Sequence, residues 1–207
     1  DVLATAELAV KLLEEYDRHP IDLQATKAYS PASIGKAYLK AMGIEPILTR
    51  QPDFPQQYLG FAQSAFYGGR TSAHIRRVAV SVVYTDFLSM YPTVNGLMGL
   101  WQFVVADNIR VIEHCQDDIR AFLLTITFEH LFNPQTWKHL TAFVKIVPDD
   151  DILPSRAKYN SHSNDWQVAV NHLHTGDPGD MNAALWYTLP DILASVLLTG
   201  RIPKIVD

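Results

Sequence analysis

Cysteine is almost absent from this sequence, with a single example at Cys115. That scarcity excludes an internal disulfide and a zinc site built from several cysteines. An unpaired thiol suits a reducing compartment, so the sequence predicts a cytoplasmic protein. Long apolar runs are also missing, because polar residues or prolines interrupt every stretch before the ~18 residues that a membrane span needs. The chain is therefore predicted to be soluble, without a membrane partner.

Excess positive charge is the next missing feature. The formal net charge is -5, which argues against a protein that binds nucleic acid over its whole surface. One stretch differs, because no carboxylate occurs between Gln63 and Thr85. This stretch contains a basic patch, made up of Arg70, His74, Arg76 and Arg77. Any contact with DNA is predicted to come from that local patch.

The 207 residues, 48% of them hydrophobic, fit one large or two small globular domains. Apolar residues at helical spacing, together with cap and breaker residues, predict helices over 2–16, 30–43, 56–66, 92–100, 117–128, 133–142 and 188–199. Runs rich in β-branched residues predict strands over 78–85, 108–113, 143–147 and 167–173, and 149–165 is predicted to be a polar loop. The expected fold class is α+β.

Asp86 stands directly after the predicted strand over 78–85. A strand end fixes a side chain while the following loop leaves it accessible. Carboxylate oxygens suit Mg²⁺, which neutralises developing charge in phosphoryl transfer. A lone aspartate after a strand is more often a turn or helix cap, so the neighbouring residues have to decide between the two roles.

Those neighbours resemble a known family. Residues 86–92 read Asp86-Phe87-Leu88-Ser89-Met90-Tyr91-Pro92 and are similar to the D-x-x-S-(L/M)-Y-P signature of the palm domain in family B DNA polymerases. The preceding Tyr67-Gly68-Gly69-Arg70 resembles the Y-x-G-G motif of the same enzymes. The segment 30–39 is similar to their connection between the 3′-5′ exonuclease domain and the palm, and the helix at Asp1 to the end of that exonuclease domain.

The resemblance implies a role for each matching residue. Asp86 would be catalytic and help to hold Mg²⁺ (or Mn²⁺), and Asp1 would be a metal ligand of the exonuclease domain. Nucleotide binding would involve Phe87, Leu88, Ser89 and Tyr91, with Tyr91 under the sugar, where it excludes a ribonucleotide. The DNA-binding residues would be Tyr67, Gly68, Gly69, Arg70, Arg76 and Arg77.

The same resemblance implies three segments: an exonuclease-like helix over 1–29, a linker region with the template-binding loop over 30–77, and the first part of a partial palm over 78–207. The partners would be a DNA primer-template and deoxynucleoside triphosphates; the sequence indicates nothing about oligomeric state. The first residues lack an initiating methionine and the basic start of a signal peptide, so we expect a segment of a longer chain.

A fingers motif of the K-x-x-x-N-S-x-Y-G type and a second palm motif like D-T-D are both missing. One aspartate does not hold two metals, so little activity is expected of this segment alone. A catalytically silent, polymerase-like DNA-binding module is the alternative. A third hypothesis is a small metal hydrolase centred on His172 and His174, with Asp177 and Asp180 nearby.

Overall fold

The computed structural model describes residues 1–69, 71, 73–155, 172–174 and 181–207. These residues form helices and two small antiparallel sheets, which confirms the predicted α+β class. Contacts divide the chain into two compact units. The first consists of 1–54 and 102–109, and the second of 55–101 and 110–207. Their boundaries differ from those of the three segments that the family resemblance implies, 1–29, 30–77 and 78–207. Those three segments stay a prediction.

The helices are α1 Val2–Tyr16, α2 Pro31–Ala41, α3 Ile47–Arg50, α4 Gln56–Ser64, α5 Met90–Leu97, α6 Trp101–Val105, α7 Gln116–Thr125, α8 Pro134–Trp137 and α9 Leu189–Thr199. The strands are β1 Phe143–Val147, β2 Asp149–Ile152, β3 His172–His174, β4 Leu185–Thr188 and β5 Lys204–Ile205. The predicted helix over 133–142 is thus limited to one turn, and α3, α6, β4 and β5 were not predicted from the sequence.

Two side chains of α3 and its C-cap hold the first unit together. Arg50 donates from Nη1 to Asp107 Oδ1 at 2.8 Å and to the Val105 carbonyl at 3.2 Å. Gln51 bonds Ile109 in both directions, since the Ile109 amide donates to Oε1 at 2.8 Å and Nε2 donates to the Ile109 carbonyl at 3.3 Å. A side-chain amide therefore satisfies the backbone at Ile109, where a strand would need a neighbouring strand.

The predicted strand over 108–113 is accordingly wrong: no described residue pairs with this segment as a strand. The prediction of a buried strand over 78–85 is wrong as well, because no described residue pairs with it and its side chains face solvent. Val82, Val83 and Tyr84 are 81%, 88% and 91% exposed. β-branched residues favour strands through packing against cross-strand neighbours, and that packing is missing here.

The core of the second unit lies between a three-stranded antiparallel sheet and α9. The strand order is β4-β1-β5, with Val144 opposite Tyr187 and Ile146 opposite both Leu185 and Ile205. Val144, Ile146 and Tyr187 are almost completely buried, as are Leu189 and Ile192 of α9 and Leu140 before β1. Side chains alternate between the two faces of a strand, so Val144 and Ile146 of β1 lie on the same face, the one that α9 covers.

The sequence placed α9 almost correctly because its ends carry strong local signals. Thr188 precedes the helix, and its amide and hydroxyl both donate to Asp191 Oδ2, at 3.3 and 2.6 Å. Pro190 lies in the first turn, where its missing amide proton is not needed. Gly200 ends the helix at φ 71°, a left-handed conformation that glycine adopts without strain.

The start of the predicted polar loop over 149–165 is a strand instead. β2 pairs with β3 across a bulge, with Asp149 opposite His174 and Ile152 opposite His172. Asp150 sits in the bulge at φ 63°, which aspartate tolerates better than most residues. Of the loop, 156–165 lies outside the described residues, as does 167–171 of the predicted strand over 167–173. Among the residues described, no helix is long and apolar enough to cross a bilayer.

Candidate functional site

Asp86 directly follows the exposed segment over 78–85 and is itself exposed. Its Oδ1 accepts the amide proton of Phe87 at 2.9 Å, a short local bond that fixes the carboxylate. The chain then turns through Ser89, which has a left-handed φ of 56°, and α5 begins at Met90. Asp86 thus precedes a turn and a helix, as predicted, but is held by this turn and not by a sheet.

The four residues expected around a nucleotide are all exposed. Phe87 and Leu88 are 78% and 95% exposed, and Ser89 occupies the turn itself. Tyr91, in the first turn of α5, is 61% exposed. Each of these side chains is therefore accessible to a ligand.

The glycine pair follows α4 and lies against this turn. Gly69 has φ 68°, so this position needs glycine for its backbone conformation. Gly68 lies beside Tyr91: a Cβ added there would be 3.8 Å from Oη and 3.9 Å from Cε1 of the tyrosine. Gly68 and Tyr91 are 23 residues apart in sequence (91 − 68), and the two motifs thus approach each other at this pair.

Tyr67 turns away from solvent, into the core. Its ring stacks on that of Tyr187 with centroids 5.6 Å apart and planes within 3°. Its hydroxyl donates to Tyr187 Oη at 3.5 Å, and Tyr187 donates to the Pro154 carbonyl at 3.1 Å. Burial raises the pKa of the Tyr187 hydroxyl, so it remains a neutral donor. The position of Tyr67 suits an anchor for the glycine loop.

Phe66 was missed in the sequence analysis. In the Y-x-G-G pattern the aromatic residue stands two positions before the first glycine, and Phe66 occupies that position here. Its side chain is 49% exposed, and its Cζ is 3.7 Å from where a Cβ of Gly69 would lie. A strict count of the motif spacing would have identified Phe66, and not Tyr67, as the aromatic residue on the surface of this loop.

The remaining basic residues follow the loop. Arg76 is half-buried, and Arg77 is exposed at a left-handed φ of 61°. Arg70, the first arginine of the patch, lies outside the described residues.

Asp1 caps the start of α1, where its carbonyl accepts from the Thr5 amide and hydroxyl at 2.9 Å each.

The described part of the chain contains no group of three or more His, Cys, Asp or Glu side chains that could hold a metal. Of the proposed hydrolase site, Asp177, Asp180 and the side chain of His174 lie outside the described residues. His172 is described, and its Nδ1 lies 3.2 Å from Asp150 Oδ1.

The acidic run of β2 is bound by an arginine. Arg201 donates from Nη2 to the carbonyl oxygens of Asp149 and Asp150, at 2.7 and 3.1 Å, and lies 3.9 Å from Asp151 Oδ1. Asp151 is only 2% exposed and accepts the Asp149 amide proton at Oδ2 at 2.8 Å. The guanidinium thus supplies the positive charge beside this run.

Burial makes the Asp151 carboxyl sensitive to pH. Desolvation raises its pKa, and the Asp149 amide and Arg201 offset only part of that effect. Above the ordinary carboxyl pKa of ~4 the unfolded chain ionises first, so the stability that Asp151 contributes is lost as pH rises through its higher folded pKa. We predict that Asp151→Asn gains stability relative to wild type as pH rises above ~4, measured by urea unfolding over a pH series.

The matched control is Asp118→Asn, on the exposed first turn of α7, which lacks this burial. Its stability relative to wild type should not rise over the same pH range. An Asp151→Asn variant that also shows no rise would contradict the assignment of a raised pKa to this carboxyl.

No protein-family model matches the sequence, and comparisons with curated proteins and with solved structures found no match either. The relation to family B DNA polymerases therefore stays a proposal that depends on the motif residues described above.

Proposed function

We propose that this chain is the first part of the palm of a family B DNA polymerase, preceded by the end of its exonuclease domain, and that it works in the cytoplasm. The polymerase would add deoxynucleotides to a primer on a DNA template. One observation supports this most directly: the glycine loop and the turn after Asp86 lie side by side, in contact at Gly68 and Tyr91.

In this proposal the exposed side of the turn receives the nucleotide. Phe87, Leu88 and Ser89 would lie along the triphosphate, where a local turn also brings backbone amides close. Tyr91 would lie under the sugar, and its ring would occupy the volume of a ribose 2′-hydroxyl. Exclusion of that hydroxyl is steric, so it depends on where the ring is held.

On the DNA side, Gly68 and Gly69 let the backbone approach a template phosphate, because neither carries a Cβ. Arg70, Arg76 and Arg77 would bind neighbouring phosphates. Tyr67 would not touch DNA itself but would anchor the glycine loop through its stack on Tyr187. Phe66, whose ring is partly exposed, would be the aromatic residue of the loop that DNA can reach.

Asp86 fits one ligand position of Mg²⁺ (or Mn²⁺). Its carboxylate is exposed, and the single bond from the Phe87 amide leaves lone pairs for a cation. When bound, such a metal supplies charge neutralisation for phosphoryl transfer. The D-T-D carboxylates of the family would complete the site and are not part of this sequence. Asp1 would have the corresponding role in the exonuclease domain.

The alternative is a catalytically silent module that keeps only the DNA-binding surface. Both hypotheses require DNA binding by the basic patch, and only the first requires primer extension by the polymerase that contains this segment.

Salt dependence tests the DNA surface that both hypotheses share. We predict that Arg76→Gln with Arg77→Gln lowers the slope of log Kd against log salt concentration by about 2 for a primer-template duplex, since each phosphate contact releases ~0.9 counterions. Binding near physiological salt should weaken by roughly ten- to a hundredfold, and equally for unrelated DNA sequences. Fluorescence anisotropy over a salt series measures both quantities.

The control is Arg120→Gln on α7, an arginine 47% exposed whose Nη1 lies 3.5 Å from Asp117 Oδ1. It removes one positive charge, against two in the double variant, at a site outside the basic patch. If the control lowers the slope by half as much as the double variant does, overall charge explains the binding and the proposed surface is wrong.

A further inference from the structure

Gly68 has no conformational reason to be glycine. Of the pair, only Gly69 has a left-handed φ, and Gly68 does not lie in that region. A residue with a side chain could therefore adopt the backbone conformation found at position 68. What is special about the position is the neighbour that its missing side chain would meet.

That neighbour is the hydroxyl end of Tyr91. An alanine Cβ at 68 would make ordinary contacts of 3.8 Å with Oη and 3.9 Å with Cε1. Each further carbon extends a side chain by roughly 1.5 Å, so a γ-carbon directed at the ring would come well inside the ~3.5 Å contact limit. Alanine fits beside the ring where it stands, and larger side chains displace one partner.

The exposed ring is the partner that moves. The glycine loop is anchored by Tyr67, which stacks on the buried Tyr187 and donates to its hydroxyl. Tyr91 is 61% exposed and projects from the first turn of a helix. Moving Tyr67 would break core packing, whereas turning the Tyr91 ring costs only contacts at the surface.

We propose that Gly68 is a positioning residue for Tyr91: the absence of a side chain at 68 fixes where the Tyr91 ring stands and, through the proposed function on which this step rests, how strictly a ribonucleotide is rejected. The DNA-side loop would then set sugar selectivity without touching the sugar. Side-chain size at 68 is the variable that controls it.

The contact itself is tested in the 207-residue chain by ¹⁹F NMR with fluorotyrosine in place of tyrosine. The Tyr91 resonance is identified by its loss in Tyr91→Phe. Gly68→Leu and the shorter Gly68→Val should shift this resonance, and Gly68→Ala should leave it nearly unchanged. Gly60→Leu is the matched control, because a Cβ at Gly60 of α4 meets nothing within 4 Å. An unshifted resonance in both folded Gly68 variants overturns the proposal.

The consequence for selectivity is tested in the polymerase that contains this segment, by a cycle of Gly68→Leu, Tyr91→Ala and the double variant. The readout is the ratio of kcat/KM for a deoxynucleotide to that for the matching ribonucleotide. Gly68→Leu should lower the ratio at least tenfold when Tyr91 is present, and by less than about twofold when Tyr91 is alanine. Equal changes in both backgrounds mean that Gly68 acts independently of Tyr91 and overturn the proposal.

A failure of the proposed function gives a different result. If Tyr91→Ala leaves the ratio unchanged, Tyr91 is not the group that excludes ribonucleotides, and the assignment of the site is wrong. The fluorine experiment does not depend on that assignment, since it reports only whether residue 68 moves the ring.

Discussion

Asp86→Ala is expected to reduce primer extension by the proposed polymerase at least about 1000-fold, equivalent to ~4 kcal/mol of transition-state stabilisation. The carboxylate is the proposed metal anchor, and alanine removes both of its oxygens without adding bulk. Binding of the primer-template should stay within about threefold of wild type, because the phosphate contacts are proposed to come from the basic patch. Extension in Mg²⁺ at fixed salt, with anisotropy for binding, measures the two effects separately.

Asp118→Ala is the control, since this exposed aspartate in the first turn of α7 lies outside the two motifs. Asp118→Ala should leave primer extension at the wild-type level. It should change only the stability of the fold, by the few tenths of a kcal/mol that a charge at a helix N-terminus contributes. Equal extension by Asp86→Ala and wild type would show that Asp86 is not the metal anchor. Absence of extension in wild type, with DNA binding present, would favour the silent module.

Elements with local signals could be predicted from the sequence. The limits of α9 follow from the bonds between Thr188 and Asp191 and from Gly200, all within a few residues of the helix. β1 was predicted over its full length because alternation and β-branched residues agree there. The short strands β4 and β5 were missed, since they form only through pairing with β1, and pairing partners cannot be identified in a segment of two to four residues.

The same physics explains the incorrect strands. The run 78–85 has strong β propensity, but no described strand pairs with it. In the run 108–113, the Gln51 side chain bonds the backbone of Ile109 where a neighbouring strand was expected. The sequence could predict that a helix follows Asp86, whereas it could not predict that the Tyr67 side chain points into the core. Its burial depends on Tyr187, which lies 120 residues away and has no sequence signal that links it to the loop.

Tyr187→Ala should destabilise the second unit by about 3–5 kcal/mol, a large share of the 5–15 kcal/mol typical of a domain. The ring is 1% exposed, Tyr187 lies opposite Val144 of the neighbouring β1, and the ring stacks on Tyr67, so truncation removes core contacts and leaves a cavity. Tyr187→Phe keeps the stack and loses only the hydroxyl, which leaves the Pro154 carbonyl without its donor. That should cost about 1–2 kcal/mol. Urea unfolding of the 207-residue chain measures both values.

Tyr84→Ala is the matched control: the same substitution at a ring that is 91% exposed should change the free energy of unfolding by less than about 0.5 kcal/mol.

Tyr67→Ala links this stability effect to the site, because it removes the same stack from the loop side. It should weaken DNA binding, whereas Tyr67→Phe, which retains the stacked ring, should bind nearly as wild type. If both Tyr67 variants weaken DNA binding equally, the effect comes from the hydroxyl and not from the ring, and the anchoring role derived from the Tyr67–Tyr187 stack is wrong.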